Sequence, residues 1–311
     1  MKRTLLLVAA VVGIVVLGKH YGWLEKGIGA YAEPPSIDAR SALLMDAKTG
    51  TVYYESNADI ALPPASVSKL MTELLVLEDV RAGKRNWKET VVISKYAANM
   101  PPSRIGLKAG DRWPLDELFQ AMVVYSANDA AVALAEHLAV TERDFVIRMN
   151  EKAHKLGLSS KTVFANASGL SAADLSGLQP RTASGKGGAE APGETVMTAR
   201  DIAKLAQHLV NAYPEVLDIT RMKEVTLASR NLKLETTNLM LPGKMYAYSG
   251  NDGLKTGFTD EAGYCFTGTA MRKGHRLITV VLGADAPEAR FEETKKLLSY
   301  GFSRIKLASD G

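Results

Sequence analysis

The sequence predicts a two-part α/β (α+β) fold. A hairpin signal lies near the N-terminus, segments of helical periodicity fill the middle of the chain, and β-type runs return before a final amphipathic helix. Helices inserted between two groups of strands are typical of a layered α/β body. At 311 residues, 46% of them hydrophobic, the chain is long enough to bury a sizeable core as one large domain or two lobes.

The N-terminal hairpin is predicted from two short runs, residues 41–46 and 51–54, joined by the turn-like Ala47-Lys48-Thr49-Gly50. From Ser66 onward, apolar residues recur at the spacing of a helix until Gly83 stops the pattern. The recurring residues are Leu70, Met71, Leu74 and Leu77. Ser66 is therefore expected at the start of a helix.

The middle of the chain is predicted to be mostly helical, with periodic segments at residues 115–125, 129–138 and 143–156. Residues 171–196 are rich in Gly, Ser, Ala and Pro, which predicts a long surface loop. Beyond it, Thr198 with an Asp three residues later resembles a capping pair that opens another helix.

The C-terminal part is predicted to supply most of the strands. Strand-like runs occupy residues 225–228, 263–271 and 277–282, and a helix is expected over 288–302. We predict one domain over residues 34–311. It would consist of a sheet lobe (about 34–65 and 220–311) and a helical lobe (about 66–219).

The N-terminus carries the pattern of an export signal. Lys2 and Arg3 precede an unbroken apolar run from Leu5 to Leu17, and Ala30-Tyr31-Ala32 offers a cleavage site further on. At ~1.5 Å per residue the run covers about 20 Å of a hydrocarbon core of ~30 Å. The sequence leaves open whether residues 1–33 are a cleaved signal peptide or an N-terminal membrane anchor with a linker. In both cases we expect the protein outside the cytoplasm, in the cell wall or at the membrane.

Charge, cysteine and histidine usage narrow the range of functions. The formal charge of +4 is small for this length, and no dense basic tract indicates nucleic-acid binding. The single cysteine, Cys265, lies in an apolar run and is expected to be a buried small hydrophobe. None of the five histidines is paired at the i,i+4 spacing of a helical zinc site. We predict neither a metal nor a cofactor.

The first chemistry-bearing motif is Ser66-Val67-Ser68-Lys69. Residues three apart lie on one face of a helix, so the Lys69 nitrogen can reach the Ser66 hydroxyl. A serine hydroxyl is a poor nucleophile until a neighbour takes its proton, and a partly buried lysine with a lowered pKa can do that. The motif alone is weakly specific, because S-x-x-K arises often by chance.

The second motif is Ser126-Ala127-Asn128, in a break between two helical segments. Ser126 can relay a proton toward a leaving group, and Asn128 can donate to and accept from a substrate amide. The alternative is a helix cap, because Ser and Asn both favour such positions.

The third motif is Lys255-Thr256-Gly257, followed by Phe258. At the start of a predicted strand, Lys255 and Thr256 can bind a substrate carboxylate, while Gly257 lets another chain approach its backbone closely. The alternative is a solvated lysine in a turn.

S-x-x-K, an S-x-N triplet and K-T-G, in this order, are the signature of penicillin-binding proteins and class A β-lactamases. The chain resembles the low-molecular-mass penicillin-binding proteins of the serine-type D-alanyl-D-alanine carboxypeptidase family, peptidase family S11, from about Ser41 to Phe302. The similar flanking segments are Ala42-Leu43-Leu44-Met45-Asp46, Asn57-Ala58-Asp59, Asp252-Gly253-Leu254 and Ala262-Gly263-Tyr264. The resemblance implies a β-lactamase/penicillin-binding transpeptidase-like fold, in which helices flank an antiparallel sheet and a mostly helical lobe is inserted.

The resemblance also implies a function. Ser66 matches the nucleophile that forms an acyl-enzyme as the terminal D-alanine leaves a peptidoglycan stem pentapeptide, and Lys69 matches the residue that deprotonates it. Ser126 and Asn128 match the second motif of the family. Whether Lys69 or Ser126 is the working base at each step stays open, because geometry and pKa decide it.

Further residues are implied to bind substrate. Lys255 and Thr256 match the strand that docks substrate, and the backbone N–H groups of Ser66 and Phe258 match the oxyanion hole, which needs donors aimed at the developing charge. Arg290 falls where the family has an arginine for the terminal carboxylate. Its alternative is an ion pair with Glu292 or Glu293. Expected partners are the stem peptide and β-lactam antibiotics, and we expect a monomer.

Three departures from the family pattern bear on these expectations. The first motif has Ser68 where close relatives have Thr, and Phe258 stands where some relatives have His or Ser, which can alter substrate preference. The chain ends at Gly311, so we expect no C-terminal β-rich domain and only the N-terminal apolar run as a membrane attachment.

Three rival functions would use part or all of the same residues. A β-lactamase needs a further base for deacylation, and no Glu-x-x-Leu-Asn motif follows Ser126. A non-catalytic wall-binding or penicillin-sensing module is disfavoured because Ser66, Lys69 and the other motif residues are intact. An endopeptidase would use the same residues, so the sequence does not separate it from a carboxypeptidase.

Overall fold

The computed structural model describes residues 33–178 and 193–309. Contacts divide the chain into two units, Ser36–Leu298 and Met1–Pro35 with Ser299–Gly311. The architecture below is that of the first unit. Residues 1–32 of the predicted export segment and 179–192 of the predicted loop lie outside the described residues. The limits of the predicted domain and its lobes stay predictions. Within residues 33–178 and 193–309, no helix has the length and apolarity needed to cross a bilayer.

The strands of the described residues belong to one large sheet and two small hairpins. They are β1 (Ser41–Asp46), β2 (Val52–Ser56), β3 (Thr90–Val92), β4 (Arg112–Pro114), β5 (Glu224–Leu227), β6 (Leu232–Glu235), β7 (Asn251–Thr259), β8 (Gly263–Arg272) and β9 (His275–Ala284). The large sheet is antiparallel with the order β2-β1-β9-β8-β7, so β7 is an edge strand. β3 pairs with β4, and β5 with β6.

The helices of the described residues cover the sheet and form a helical body. They are α1 (Lys69–Arg81), α2 (Lys95–Ala98), α3 (Leu115–Gln120), α4 (Asn128–Ala139), α5 (Glu142–Lys155), α6 (Ala199–Ala212), α7 (Val216–Thr220) and α8 (Ala289–Ser309). α6 packs against β1 and β9, while α1 packs against α4, α5 and α6. An antiparallel sheet flanked by helices, with a helical body between its strands, confirms the predicted α/β (α+β) class.

Helix α1 is central to the molecule, since the side chains from Lys69 to Leu77 are all buried. A helix buried on every side is normally apolar all round. This one carries Lys69, Thr72 and Glu73 in the interior. Burying such groups costs free energy unless they are paired, so their positions point to a polar site inside the fold.

Several local predictions needed correction. The segment that begins near Ser66 opens with a 3₁₀ turn, Ala65–Ser68, and becomes α-helical only at Lys69. The helix predicted over 115–125 changes at Ala121–Tyr125 into a π-helix. The run at 225–228 forms its own hairpin with β6 and does not join the large sheet.

The position of Lys255 also differs from expectation. The sequence predicts Lys255 at the start of a strand. In the structure Lys255 lies in the middle of β7, since the strand begins at Asn251 and passes a register shift between Asn251 and Gly253. A glycine in a strand often marks such a bulge.

Two further local predictions, the cap of α6 and the burial of Cys265, are confirmed by the structure. The Thr198 hydroxyl accepts a hydrogen bond from the Asp201 backbone N–H and caps α6. Cys265 is buried in β8, as predicted. Within the described residues, no group of three or more His, Cys, Asp or Glu side chains could hold a metal ion.

Candidate active site

Ser66 lies in the 3₁₀ turn that leads into α1. The preceding residue, Ala65, has φ 48°, which is left-handed and unfavourable for a side chain with a Cβ. Val67 and Ser68 are buried, whereas Ser66 is partly exposed. The turn therefore presents the Ser66 hydroxyl at the surface of a rigid interior, with the strain at Ala65 held by the surrounding structure.

Lys69 reaches back from the first residue of α1 to Ser66. Its Nζ lies 2.7 Å from Ser66 Oγ, 2.7 Å from Asn128 Oδ1 and 2.6 Å from the Ser168 carbonyl oxygen. The residue is fully buried. Three acceptors thus surround one nitrogen, and one of them is the predicted nucleophile.

Burial lowers the pKa of Lys69 well below its ordinary value, and the neighbouring positive charge of Lys255 lowers it further. The carboxyl groups of Glu73 and Asp129 oppose the shift. A neutral amine is therefore far easier to reach here than for a solvated lysine.

Ser126 and Asn128 form a corner between the π-helix and α4. Ser126 has φ 68° and ψ 27°, a left-handed conformation that ends the π-helix, and π-helical turns are frequent at functional sites. The Asn128 amide donates to the Pro101 carbonyl at 3.1 Å while its oxygen accepts from Lys69. Ser126 is thus the C-cap residue of the π-helix by position, but neither side chain makes a capping hydrogen bond among the described contacts.

Lys255 extends from β7 to this corner. Its Nζ donates to Ser126 Oγ at 2.7 Å and to the Thr256 carbonyl at 3.1 Å. The side chain is buried, so the solvated-turn interpretation was wrong. Burial lowers the pKa of Lys255 to about 8, against the opposing influence of Glu73 and with a smaller contribution from Arg290.

Thr256 and Gly257 fix β7 against the rest of the site. The Thr256 hydroxyl donates to Thr237 Oγ1 at 2.7 Å. A Cβ added to Gly257 would lie 2.7 Å from the Pro64 carbonyl oxygen and 3.1 Å from the Ser66 nitrogen. The backbone segment that lies close to Gly257 is therefore the turn bearing Ser66. Because Gly257 has no side chain, the strand and the turn can approach each other this closely.

Phe258 and Arg290 lie at the next positions around the site. Phe258 is 47% exposed and its ring stacks on Tyr264 with centroids 4.4 Å apart. Arg290 donates to the Gly257 carbonyl at 3.1 Å. Among the described ion pairs Arg290 has none, and Glu293 binds Lys296 instead, so the alternative of a pair with Glu292 or Glu293 was wrong.

The sequence reasoning did not identify the tight turn at residues 166–170. The Asn166 side-chain oxygen accepts from the backbone N–H groups of Ser168 (3.1 Å) and Gly169 (2.6 Å), and its amide donates to the Leu170 carbonyl (2.9 Å). This arrangement directs the Ser168 carbonyl at Lys69. Asn and Gly in Asn-x-x-Gly are a turn signal, but a backbone oxygen leaves no mark of its own in a sequence.

Gly169 is the residue of this turn that no other can replace. Its φ is +75°, and an added Cβ would lie 2.1 Å from the Ala65 carbonyl oxygen. We expect Gly169→Ala to lower the free energy of unfolding by about 3 kcal/mol or more, because a steric clash adds to backbone strain. Thermal unfolding measures this.

Gly83→Ala is the matched control, since Gly83 has φ +70° and no atom within 4 Å of an added Cβ. Strain alone is expected to cost this variant about 1 kcal/mol. Equal destabilisation of the two variants would contradict the close approach of residue 169 to the Ser66 turn.

Asp129, next to the second motif, binds the backbone of a neighbouring loop. Its carboxylate accepts from the backbone N–H groups of Ile105 (3.1 Å), Gly106 (2.9 Å) and Leu107 (3.1 Å). Hydrogen bonds to a buried carboxylate are among the stronger ones. The Ser126 corner is thereby tied to the loop whose Pro101 carbonyl binds Asn128.

The geometry can be compared with known proteins. A family model described as D-alanyl-D-alanine carboxypeptidase, peptidase S11, matches residues 29–286. The chain belongs to the D-alanyl-D-alanine carboxypeptidase family. The resemblance predicted from the three motifs is confirmed, and the S11 assignment makes the chain a serine peptidase by family.

Relatives within the S11 family cover most of the chain. D-alanyl-D-alanine carboxypeptidase DacF of Bacillus subtilis is 34% identical over 309 residues, which is 98% of this chain and 72% of the relative. D-alanyl-D-alanine carboxypeptidase DacC of Escherichia coli is 36% identical over 281 residues, 87% of this chain and 62% of the relative. The chain thus spans about two thirds of the length of these S11 relatives.

Solved structures similar to this S11 family member are penicillin-binding proteins. The Listeria monocytogenes penicillin-binding protein D2, solved with cefotaxime bound, is 40% identical with a TM-score of 0.72, covering 87% of this chain and all of that one. The PBP3 of Streptococcus pneumoniae is 37% identical with a TM-score of 0.78, covering 86% of this chain and 74% of that one. The predicted penicillin-binding type of fold is confirmed.

Proposed function

We propose that this chain is a serine-type D-Ala-D-Ala carboxypeptidase that removes the terminal D-alanine from peptidoglycan stem pentapeptides through an acyl-enzyme on Ser66. The proposal rests on the position of Lys69 Nζ. This nitrogen lies 2.7 Å from Ser66 Oγ, and two other acceptors, Asn128 Oδ1 and the Ser168 carbonyl oxygen, hold it in place. The family membership supports the same substrate class.

The three acceptors around Lys69 suit proton abstraction. A neutral amine has two N–H donors and one lone pair. If the two donors bind Asn128 Oδ1 and the Ser168 carbonyl, the lone pair is left for the Ser66 hydroxyl proton. The lowered pKa of Lys69, caused first by burial, favours this neutral form. We assign Lys69 as the base that activates Ser66.

Ser126 and Lys255 suit the next step, in which the bond to the leaving amine breaks. Ser126 Oγ accepts a hydrogen bond from Lys255, so the hydroxyl hydrogen of Ser126 is free to donate elsewhere. In our proposal it protonates the nitrogen of the departing D-alanine. The proton that Lys69 took from Ser66 then replaces the one that Ser126 gave up. The net result of acylation is that one proton moves from Ser66 to the departing amine, and the water that later hydrolyses the ester restores the Ser66 hydroxyl.

Substrate docking is assigned to β7 and its neighbours. The ammonium of Lys255 offers a donor for the terminal carboxylate, and the Thr256 hydroxyl offers another when it turns away from Thr237. Arg290, hydrogen-bonded to the Gly257 carbonyl, adds positive charge beside them. The backbone N–H groups of Ser66 and Phe258 are assigned to the oxyanion hole. The close approach of Gly257 to the Ser66 nitrogen supports this pairing.

β-Lactam binding and export are part of the proposal. Related penicillin-binding proteins were solved with cefotaxime and with ampicillin bound. We infer that β-lactams also bind this chain, and that they acylate Ser66. Because stem peptides lie outside the cytoplasm, the basic and apolar pattern of residues 2–17 supports an exported protein, attached to the wall or membrane.

Purified protein tests the function directly. We expect release of D-alanine from diacetyl-Lys-D-Ala-D-Ala, and covalent labelling by a fluorescent penicillin that peptide mapping locates at Ser66. Labelling without D-alanine release would favour a penicillin-sensing module. Rapid turnover of penicillin would favour a β-lactamase. Absence of both signals would refute an active serine acyl-transfer site.

A further inference from the structure

Glu73 is a buried acidic residue that neither the motifs nor the proposed reaction uses. It lies on α1, one turn after Lys69, so both side chains belong to the same face of the helix. It is fully buried, and neither carboxyl oxygen has a hydrogen-bond partner among the described residues. A buried carboxyl group without hydrogen bonds is costly unless nearby charge compensates it.

The compensating charges are the two lysines of the site. Burial raises the pKa of Glu73 to about 8, and the positive charges of Lys255 and then Lys69 oppose this shift. Glu73 is in turn the main opposing influence on the lowered pKa of Lys255. Glu73 and Lys255 therefore influence each other's charge, although the two come from different elements, α1 and β7.

Two other charged groups influence the pKa values of these lysines, and both make hydrogen bonds with the backbone. Asp129 on α4 influences Lys69, but its oxygens accept from the backbone of Ile105, Gly106 and Leu107. Arg290 on α8 adds positive charge near Lys255 and donates to the Gly257 carbonyl. Glu73 is the carboxyl group of this cluster that has no hydrogen-bond partner among the described residues.

We propose that Glu73 is a positioning residue that acts as the buried counter-charge of Lys255, keeping its ammonium protonated for Ser126 and for the substrate carboxylate. This inference rests on the proposed function for its kinetic consequences. As pH rises, ionisation of Glu73 offsets the tendency of Lys255 to lose its proton. Without Glu73, Lys255 loses its charge at a lower pH, because removal of a nearby negative charge disfavours the cation.

The test is the pH dependence of kcat/KM for D-alanine release by wild type, Glu73→Gln and Glu73→Asp. The Gln variant is expected to move the midpoint of the alkaline limb down by about one pH unit, so that its loss grows to about tenfold above pH 8 and is smaller at pH 6.5. The loss should appear mainly in KM. The Asp variant, which keeps the carboxylate, should restore the wild-type midpoint.

A purely structural role for Glu73 predicts a different pH profile. If Glu73 only filled space, the Gln variant would keep the wild-type midpoint or lose the same factor at every pH, and either result would overturn the proposal. An inactive wild type would refute the proposed function but not the coupling between the two residues.

A second measurement tests the proposal even if the wild type is inactive or the Gln variant fails to fold. Difference infrared spectroscopy of the wild type between pH 6 and 10 reports the protonated carboxyl band, and Glu73→Asp assigns it. In Lys255→Met the band should persist to higher pH, because the charge that favours ionisation is gone. A band with the same midpoint in both proteins would refute the proposal.

Discussion

Ser66→Ala is expected to abolish both covalent penicillin labelling and D-alanine release. Ser66 Oγ, which lies in a hydrogen bond with Lys69 Nζ at 2.7 Å, is the atom that would become acylated. The alanine side chain lacks this oxygen and cannot form an ester. Loss of a nucleophile in an enzyme of this chemical type lowers kcat by about 10⁶-fold, down to the background set by binding alone. Gel fluorescence after incubation with labelled penicillin and an assay of free D-alanine measure the two effects.

Ser68→Ala is the matched control for this experiment. Ser68 lies in the same 3₁₀ turn, but it is buried and its hydroxyl donates to the Ala65 carbonyl at 3.0 Å. Its removal is expected to cost about 1 kcal/mol of stability and to leave labelling intact. Labelling of the Ser66→Ala protein would mean that another residue is the nucleophile.

Lys69→Met is expected to have the second largest effect. Methionine approximates the length and volume of lysine, but its thioether sulfur is far too weak a base to take the Ser66 proton, so we expect penicillin acylation to slow by about 10²–10⁴-fold. Stability should change much less. Loss of three hydrogen bonds is destabilising, whereas removal of a cation-forming group from a fully buried position is stabilising. Stopped-flow acylation and thermal unfolding separate the two quantities.

Lys69→Arg distinguishes proton abstraction from simple positive charge. A guanidinium remains protonated in proteins and cannot act as a base, so this variant should be as slow as the Met variant. For the wild type, acylation should fall as pH drops through the depressed pKa of Lys69, because the protonated amine has no lone pair. Rapid acylation by either variant would contradict the assignment of Lys69.

The sequence predicted the parts of the site that side chains define. Ser66 and Lys69 are three residues apart, and that spacing on a helical turn is enough to predict their contact. Ser126 and Lys255 are 129 residues apart, and the only sequence signal that joined them was the order of the three motifs and the resemblance it carried. Their hydrogen bond depends on a π-helical corner and a strand bulge, which arise from tertiary packing.

The remaining parts of the site could not be predicted, because they are backbone atoms or a charged side chain that is unusually buried. The Ser168 carbonyl binds Lys69, and the tight turn at Asn166 and Gly169 directs it, yet carbonyl groups are common to every residue. Glu73 occupies a helix position that sequence reasoning assigns to any amphipathic surface. Only the burial of α1 from Lys69 to Leu77 reveals that this carboxyl group lies inside the fold.

The close approach of β7 to the Ser66 turn has an evolutionary consequence. At Gly257 and Gly169 the backbone of one segment fills the space that a side chain would need, so substitution there disturbs the nucleophile itself. Phe258 follows directly on the same strand with 47% of its surface exposed, and its change leaves the contacts of Lys69 intact. Adaptation to a different wall peptide, or escape from a particular antibiotic, therefore has its least disruptive route through position 258.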